Sequence, residues 1–133
     1  MKKIVLVTIL SVFTFTISAQ EVKKNKNAKV SFEVDGVCGM CKKRIEAAAL
    51  KSKGVKFALW SVETHQLSLI MDENKTDVKT VQKNIAKVGH DVIVTKDRKI
   101  VAPEEAYNNV NPCCKYRDKE VVNDHKGMKK MKH

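Results

Sequence analysis

Aromatic residues, prolines and acidic residues are all scarce in this chain of 133 residues. It contains one Trp, two Tyr and four Phe, and both of its prolines, Pro103 and Pro112, lie towards the C-terminus. Because the aromatics are not interleaved with the lysines, the pattern does not predict base stacking or nucleic-acid binding. The 15 acidic residues are outnumbered by 26 Lys and Arg, for a formal net charge of +11, which we interpret as a solvated basic surface.

Sets of residues that carry out catalysis are also missing near the most reactive side chains. No Ser/His/Asp set, glycine-rich phosphate loop or carboxylate pair stands near the cysteines in the sequence. We therefore do not expect an enzyme.

The N-terminal stretch MKKIVLVTILSVFTFTISAQ has the layout of a secretory signal peptide. Two lysines precede an apolar run, and small residues precede Gln20, so we predict a signal over residues 1–19 and cleavage after Ala19. The run of 14 positions is shorter than the roughly 20 apolar residues that span a membrane, and no cysteine follows it for lipid attachment. The mature chain is expected to be periplasmic or secreted, without stable membrane insertion.

Hydrophobic periodicity predicts one small domain over residues 29–96, after a disordered lead-in over residues 20–28. The expected elements are strands at 29–35, 55–60, 66–71 and 91–96, and helices at 41–53 and 78–88. The order strand, helix, strand, strand, helix, strand is that of the α+β ferredoxin-like sandwich. Two helices on one face of a four-stranded sheet would account for the whole core.

Residues 97–133 show no sustained periodicity, and we expect a basic tail that is partly ordered at most, with one short helix after Pro103. The tail nevertheless collects soft or borderline metal-ligand types within 21 residues: Cys113, Cys114, His125, Met128, Met131 and His133. Whether it folds back on the domain, holds a second ion or only aids solubility stays open from composition alone.

Cys38 and Cys41 stand two residues apart, just ahead of the first helix. That spacing serves a redox dithiol, half of a zinc site or a clamp for a soft metal ion. Redox chemistry fits less well, because thioredoxin-like proteins carry a Trp before the motif and a cis-proline facing it, whereas Val37 precedes Cys38 here. Cys113 and Cys114 could complete a zinc site, but adjacent cysteines point apart in an extended chain.

Several local motifs indicate a family. They are the Cys38/Cys41 pair with the helix start Lys-Lys-Arg-Ile-Glu, Gly54-Val55 at the second strand, and Val88-Gly89-His90 after the second helix. In these motifs and in element order, residues 29–96 resemble a heavy-metal-associated domain, the fold of copper chaperones, periplasmic mercury-binding proteins and the N-terminal modules of metal-exporting ATPases. One departure is that Gly36-Val37 stands where the family has Gly-Met and a further residue, so Val37 or Met40 is expected to take the place of that Met.

The resemblance implies that Cys38 and Cys41 hold one soft ion at an exposed loop, from which it passes to a partner. The expected cargo is Cu(I), with Hg(II) and Zn(II) as alternatives, and the expected partner is a metal-donating or metal-accepting protein such as a metal-exporting ATPase. His90 lies where relatives place a side chain beside the metal, so it is expected either to bind the ion or to contact its ligands. The alternative is an exposed histidine in a loop. Position near a helix N-terminus predicts that Cys41 ionises readily. A redox dithiol or a plain disulfide in an interaction module stays open as an alternative.

Overall fold

The structure, a computed structural model, describes residues 22–131, so the predicted signal peptide lies outside the described residues. Five strands, four α-helices and one 3₁₀ turn follow one another in this part of the chain. They are β1 (Ala28–Val34), α1 (Gly39–Leu50), β2 (Val55–Trp60), β3 (Gln66–Met71), α2 (Val78–Ala86), β4 (Val92–Thr95), β5 (Arg98–Ile100), α3 (Glu104–Asn108), the 3₁₀ turn Pro112–Cys114 and α4 (Lys119–Lys130).

The strands form one antiparallel sheet in the order β2-β3-β1-β4-β5. β1 is central, with Val30 opposite Leu69 of β3 and Val34 opposite Val92 of β4. This order places both helical crossovers on one side of the sheet and confirms the α+β ferredoxin-like fold. β5 adds one strand beyond the predicted four, paired with β4 across the turn at residues 96–97.

The apolar faces of α1 and α2 pack on the sheet as their periodicity predicted. Ile45, Ala48 and Ala49 of α1 are buried, as are Val81 and Ile85 of α2. Asp77 is the N-cap of α2, and its carboxylate accepts a hydrogen bond from the Thr80 backbone N–H. The alanines of α1 leave little side-chain volume between helix and sheet, so the two can approach closely.

The predicted strand at residues 55–60 is present as β2, and a bulge decides which of its faces points to the core. Phe57 and Leu59 are exposed, whereas Trp60 is fully buried. The pairing of β2 with β3 shifts register between Val55 and Phe57, as in a β-bulge. A one-residue shift moves the following side chains to the opposite face, so Ala58 and Trp60 point to the helices.

The C-terminal region has more structure than the expected tail. From Arg98 to Met131 it forms β5, α3, the 3₁₀ turn and α4. Ala102, Tyr107 and Val110 are buried against the sandwich, so the core extends beyond residue 96. These anchors are single apolar residues in short elements, which produce no periodic signal in the sequence.

No helix within residues 22–131 combines the length and the apolar character that crossing a membrane requires.

Candidate metal centre

Cys38 and Cys41 lie where the loop after β1 enters α1. Cys38 is the N-cap residue, in extended conformation, and Cys41 lies in the first turn of the helix. Gly36 lets this loop approach the core, because a Cβ at that position would lie 2.9 Å from the Trp60 ring and 3.0 Å from the Cys41 Cβ. The two sulfur atoms are 3.5 Å apart, so both can bind one ion.

Val37 takes the packing position under this loop. Its side chain packs against the core, and its backbone N–H points to the Cys41 Sγ at 3.4 Å. Met40 is half exposed and does not fill that role. A short, stiff side chain thus supports the loop where the family has a methionine.

Cys113 and Cys114 bring two more thiols to the same place. Their sulfur atoms lie 3.3 and 3.5 Å from the Cys38 Sγ, and 3.9 Å from each other. The sulfur atoms of Cys38, Cys41 and Cys114 all lie within 4.8 Å of one another. The argument that adjacent cysteines point apart fails here, because Cys113 and Cys114 lie in a 3₁₀ turn and not in extended chain.

The site is more enclosed than the resemblance implied. Cys41 has no exposed surface and Cys114 is 1% exposed, whereas Cys38 and Cys113 are partly exposed. The 3₁₀ turn that carries Cys113 and Cys114 packs against α1. The expectation of an exposed site is therefore wrong for Cys41, since the C-terminal region lies over the helix start.

The pKa of Cys41 shifts in the direction opposite to the one expected from its place near the helix N-terminus. Burial alone would raise the pKa of Cys38, but hydrogen bonds from the Cys41 backbone N–H and the neighbouring thiols outweigh it and lower that pKa. Burial raises the pKa of Cys41, against a hydrogen bond from the Val37 N–H. The pKa of the capping residue Cys38 is thus lowered, whereas that of the enclosed Cys41 is raised.

The thiols of the C-terminal turn are harder to ionise. Burial, followed by the proximity of Cys41 and Cys38, raises the pKa of Cys114 far above its usual range. Burial and the nearby Cys38 also raise the pKa of Cys113. Their sulfur atoms lie 3.3 and 3.5 Å from the Cys38 Sγ, so their thiols can donate hydrogen bonds to a Cys38 thiolate.

His90 is fully buried, so the prediction of an exposed loop histidine is wrong. Its Nδ1 lies 2.9 Å from the carbonyl oxygen of Asp35, which can only accept, so Nδ1 carries the proton. Its ring stacks on Tyr116, and burial lowers the pKa of His90 to about 4. His90 does not belong to the group of ligand atoms formed by the thiols. The structure thus places it beneath the C-terminal region and not in the thiol cluster.

Polar contacts that sequence reasoning missed hold the C-terminal region on the domain. The Tyr116 hydroxyl donates to the Gly89 carbonyl and accepts from the Asp91 N–H, both at 2.9 Å. The buried Asp91 carboxylate accepts from Arg117 at 2.7 Å and from the Ala102 N–H at 2.8 Å. Tyr116 and Arg117 come shortly after the cysteine pair in the sequence, so their contacts with the domain fix the position of the 3₁₀ turn.

Three other candidate ligands of the tail, His125, Met128 and Met131, lie in α4 or at its end. The His125 Nε2 donates to the Cys113 carbonyl at 3.0 Å, which places α4 beside the cluster. Met128 and Met131 are exposed, and His133 lies outside the described residues. His65 lies in the β2–β3 turn, where it stacks on Trp60 and is close to the carboxylates of Glu33 and Asp35.

Comparisons with known proteins identify the domain. Residues 31–91 match the model of the heavy-metal-associated domain. A CopZ metallochaperone is 31% identical, with 100% of its chain and 50% of this one covered, at a TM-score of 0.48. The N-terminal domain of the zinc(II) ATPase ZiaA in its apo form is 29% identical, covering 69% of its chain and 54% of this one, at 0.45. Oxidized MerP from Ralstonia metallidurans CH34 is 25% identical, covering 100% of its chain and 52% of this one, also at 0.45.

The comparison with curated proteins found no match. The family match and the identity over the whole metallochaperone show that this chain belongs to the heavy-metal-associated domain family. The family match ends at residue 91 and leaves out Cys113 and Cys114. The C-terminal pair of cysteines is therefore a feature that the family match does not explain.

Proposed function

We propose that this protein binds a soft metal ion through Cys38 and Cys41 and transfers it to a partner protein, with Cu(I) as the ion. The observation that carries the proposal is the convergence of two sulfur atoms, 3.5 Å apart, at the start of α1. Thiolates favour Cu(I) over hard ions, and the lowered pKa of Cys38 favours its thiolate form. Hg(II) and Zn(II) are the alternative ions.

The partial exposure of Cys38 supports transfer as the role of this pair. A partner's thiolate can approach the ion from the Cys38 side before Cys41, which is enclosed, lets go. The similarity to a metallochaperone and to the N-terminal domain of a zinc(II) ATPase is consistent with a metal-donating or metal-accepting partner, including a metal-exporting ATPase. The signal-like residues 1–19 support a periplasmic or secreted location.

Dithiol chemistry is the second candidate, because the close thiols and the lowered pKa of Cys38 also suit disulfide exchange. Native mass spectrometry of the reduced protein, with Cu(I), Hg(II) and Zn(II) in competition, separates the two functions. We expect a Cu(I) adduct that survives competition by a chelator and that disappears in Cys38→Ser. Catalysed disulfide exchange without such an adduct would overturn the proposal.

A further inference from the structure

The four sulfur atoms gather around the Cys38 Sγ, and three of them already have the spacing of one metal site. Thiolates bind Zn(II) at about 2.3 Å, so four of them around one tetrahedral ion lie about 3.8 Å from one another. The sulfur–sulfur distances from Cys38 are 3.3 to 3.5 Å, and that between Cys113 and Cys114 is 3.9 Å. The sulfur atoms of Cys38, Cys41 and Cys114 form the mutually close group, so the partly exposed Cys113 side chain would have to turn towards Cys41 to complete a tetrahedral set.

We propose that Cys113 and Cys114 are ligands of the same ion as Cys38 and Cys41, forming a closed four-thiolate site that takes a tetrahedral divalent ion, Zn(II), as well as Cu(I). The inference rests on the proposed function, since it requires the Cys38/Cys41 pair to bind metal. Two thiolates suit a Cu(I) ion of low coordination number, whereas four thiolates in tetrahedral arrangement are typical of zinc. The C-terminal pair therefore widens the range of ions that the domain can hold.

The position of the C-terminal pair is specified by the structure around it. Within the turn, the Asn111 side chain accepts from the Cys113 N–H, and the Asn111 carbonyl accepts from the Cys114 N–H at 2.7 Å. On the far side, Tyr116 and Arg117 bond to the domain at Gly89 and Asp91. The turn is thus held at both ends by contacts of its own and its neighbouring residues, and these contacts place the two thiols beside Cys38.

Charge near the site favours a four-thiolate set. Four thiolates around a divalent ion carry a net charge of −2, which needs positive groups or hydrogen-bond donors nearby. Lys126 and Lys129 of α4 line the groove beside Cys38, together with His125. The Val37 backbone N–H points to the Cys41 sulfur atom at 3.4 Å. The same segment therefore supplies two ligands and part of the compensating charge.

A closed site changes how the ion can leave. A four-coordinate thiolate site has no open position for an incoming ligand, which is the arrangement of metal sites that retain their ion. A partner's thiolate would have to displace Cys113 or Cys114 before it could bind. The C-terminal turn would then control release, because Cys113 is partly exposed beside Cys38 and an incoming thiolate can reach it.

Cobalt(II) titration of the reduced protein tests the site, because Co(II) in tetrahedral thiolate coordination has intense visible and sulfur-to-metal charge-transfer bands. We expect one equivalent of Co(II) to produce these bands and Zn(II) to displace it. The double variant Cys113→Ser/Cys114→Ser should lose these bands, and its Zn(II) affinity should fall by roughly a hundredfold. Removing a residue that only hydrogen-bonds a ligand would cost less. The Cu(I) affinity of the double variant should fall by about tenfold or less, since Cys38 and Cys41 remain.

Three further variants make the outcomes distinct. Met128→Leu removes an exposed thioether of α4 and should match the parent protein in every titration. Cys113→Ser alone replaces a partly exposed residue, so it tests the inference even if the double variant does not fold. Unchanged Co(II) spectra in both cysteine variants would overturn the inference and leave the proposed function standing. Cu(I) binding that persists in Cys38→Ser/Cys41→Ser would overturn the proposed function itself.

Discussion

The sandwich, from β1 to β4, and the C-terminal region after it each contribute two cysteines, but they hold them by different means. Cys38 and Cys41 are positioned by a helix whose apolar face packs on a sheet. Cys113 and Cys114 are positioned by a short turn and by polar contacts of the residues on either side. The comparison shows that thiols fixed by a hydrophobic core and thiols fixed by hydrogen bonds and one ion pair can meet at one place in the fold.

The largest effect is expected from removing a thiol of the sandwich. Cys38→Ser should lower Cu(I) affinity by roughly a hundredfold or more and leave the fold intact, because Cys38 is partly exposed. Cys41→Ser should lose as much affinity and also destabilise the protein by about 1 to 3 kcal/mol, because it places a hydroxyl in the core. Chelator competition and denaturant unfolding measure the two effects, and wild-type affinity in either variant would exclude the pair as the site.

Gly89→Ala should separate the C-terminal region from the sandwich. Gly89 has φ +100°, and a Cβ there would lie 2.6 Å from both the Ala106 carbonyl oxygen and the Val110 Cγ1. We expect a loss of roughly 3 kcal/mol in the free energy of unfolding. Gly127→Ala is the matched control, since nothing lies near its added methyl and it sits within α4, where alanine is favoured. Equal stabilities of the two variants would contradict this account of the contact.

Arg117→Ala weakens the polar anchor without touching a thiol. It leaves the buried Asp91 carboxylate without its 2.7 Å partner, and we expect a cost of about 2 kcal/mol in thermal or denaturant unfolding. Lys99→Ala is the control, because Lys99 is half exposed and its ion pair with Asp91 should contribute about 0.5 kcal/mol or less. If the Arg117 variant also binds Zn(II) more weakly, the anchor and the ligand turn are coupled. A cost no greater than that of Lys99→Ala would show that the ion pair does not hold the region.

His90 should make stability depend on pH in a narrow window. Burial lowers the pKa of His90 from 6.5 to about 4, so the unfolded chain binds a proton at a pH where the folded protein does not. The free energy of unfolding should therefore fall by roughly 1.4 kcal/mol per pH unit as the pH drops from about 6.5 to 4. In His90→Phe, measured metal-free beside the parent, this part of the slope should be absent. Parallel pH profiles would show that the imidazole titrates normally in the fold.

The sequence predicted the sandwich well because its signals are local. In α2, the helical stripe of Val78, Val81 and Ile85 packs against the core. In β3, the alternating residues Leu67, Leu69 and Met71 are buried. Alternation alone left the core face of β2 unassigned, since the register shift that sets this face leaves no mark in the alternation itself. Prediction failed for the exposure of Cys41, because the segment that covers this thiol is more than 70 residues away.

By itself, the sequence determined a ferredoxin-like domain with two cysteines at a helix start, because periodicity and helix signals act over a few residues. Only the tertiary structure decided that Cys113 and Cys114 meet Cys38, across separations of 75 and 76 residues. That meeting depends on single contacts, such as Tyr116 with Gly89 and Arg117 with Asp91, and on a 3₁₀ turn that aligns two adjacent side chains. Contacts of this kind depend on how elements pack, and no repeating pattern in the chain encodes them.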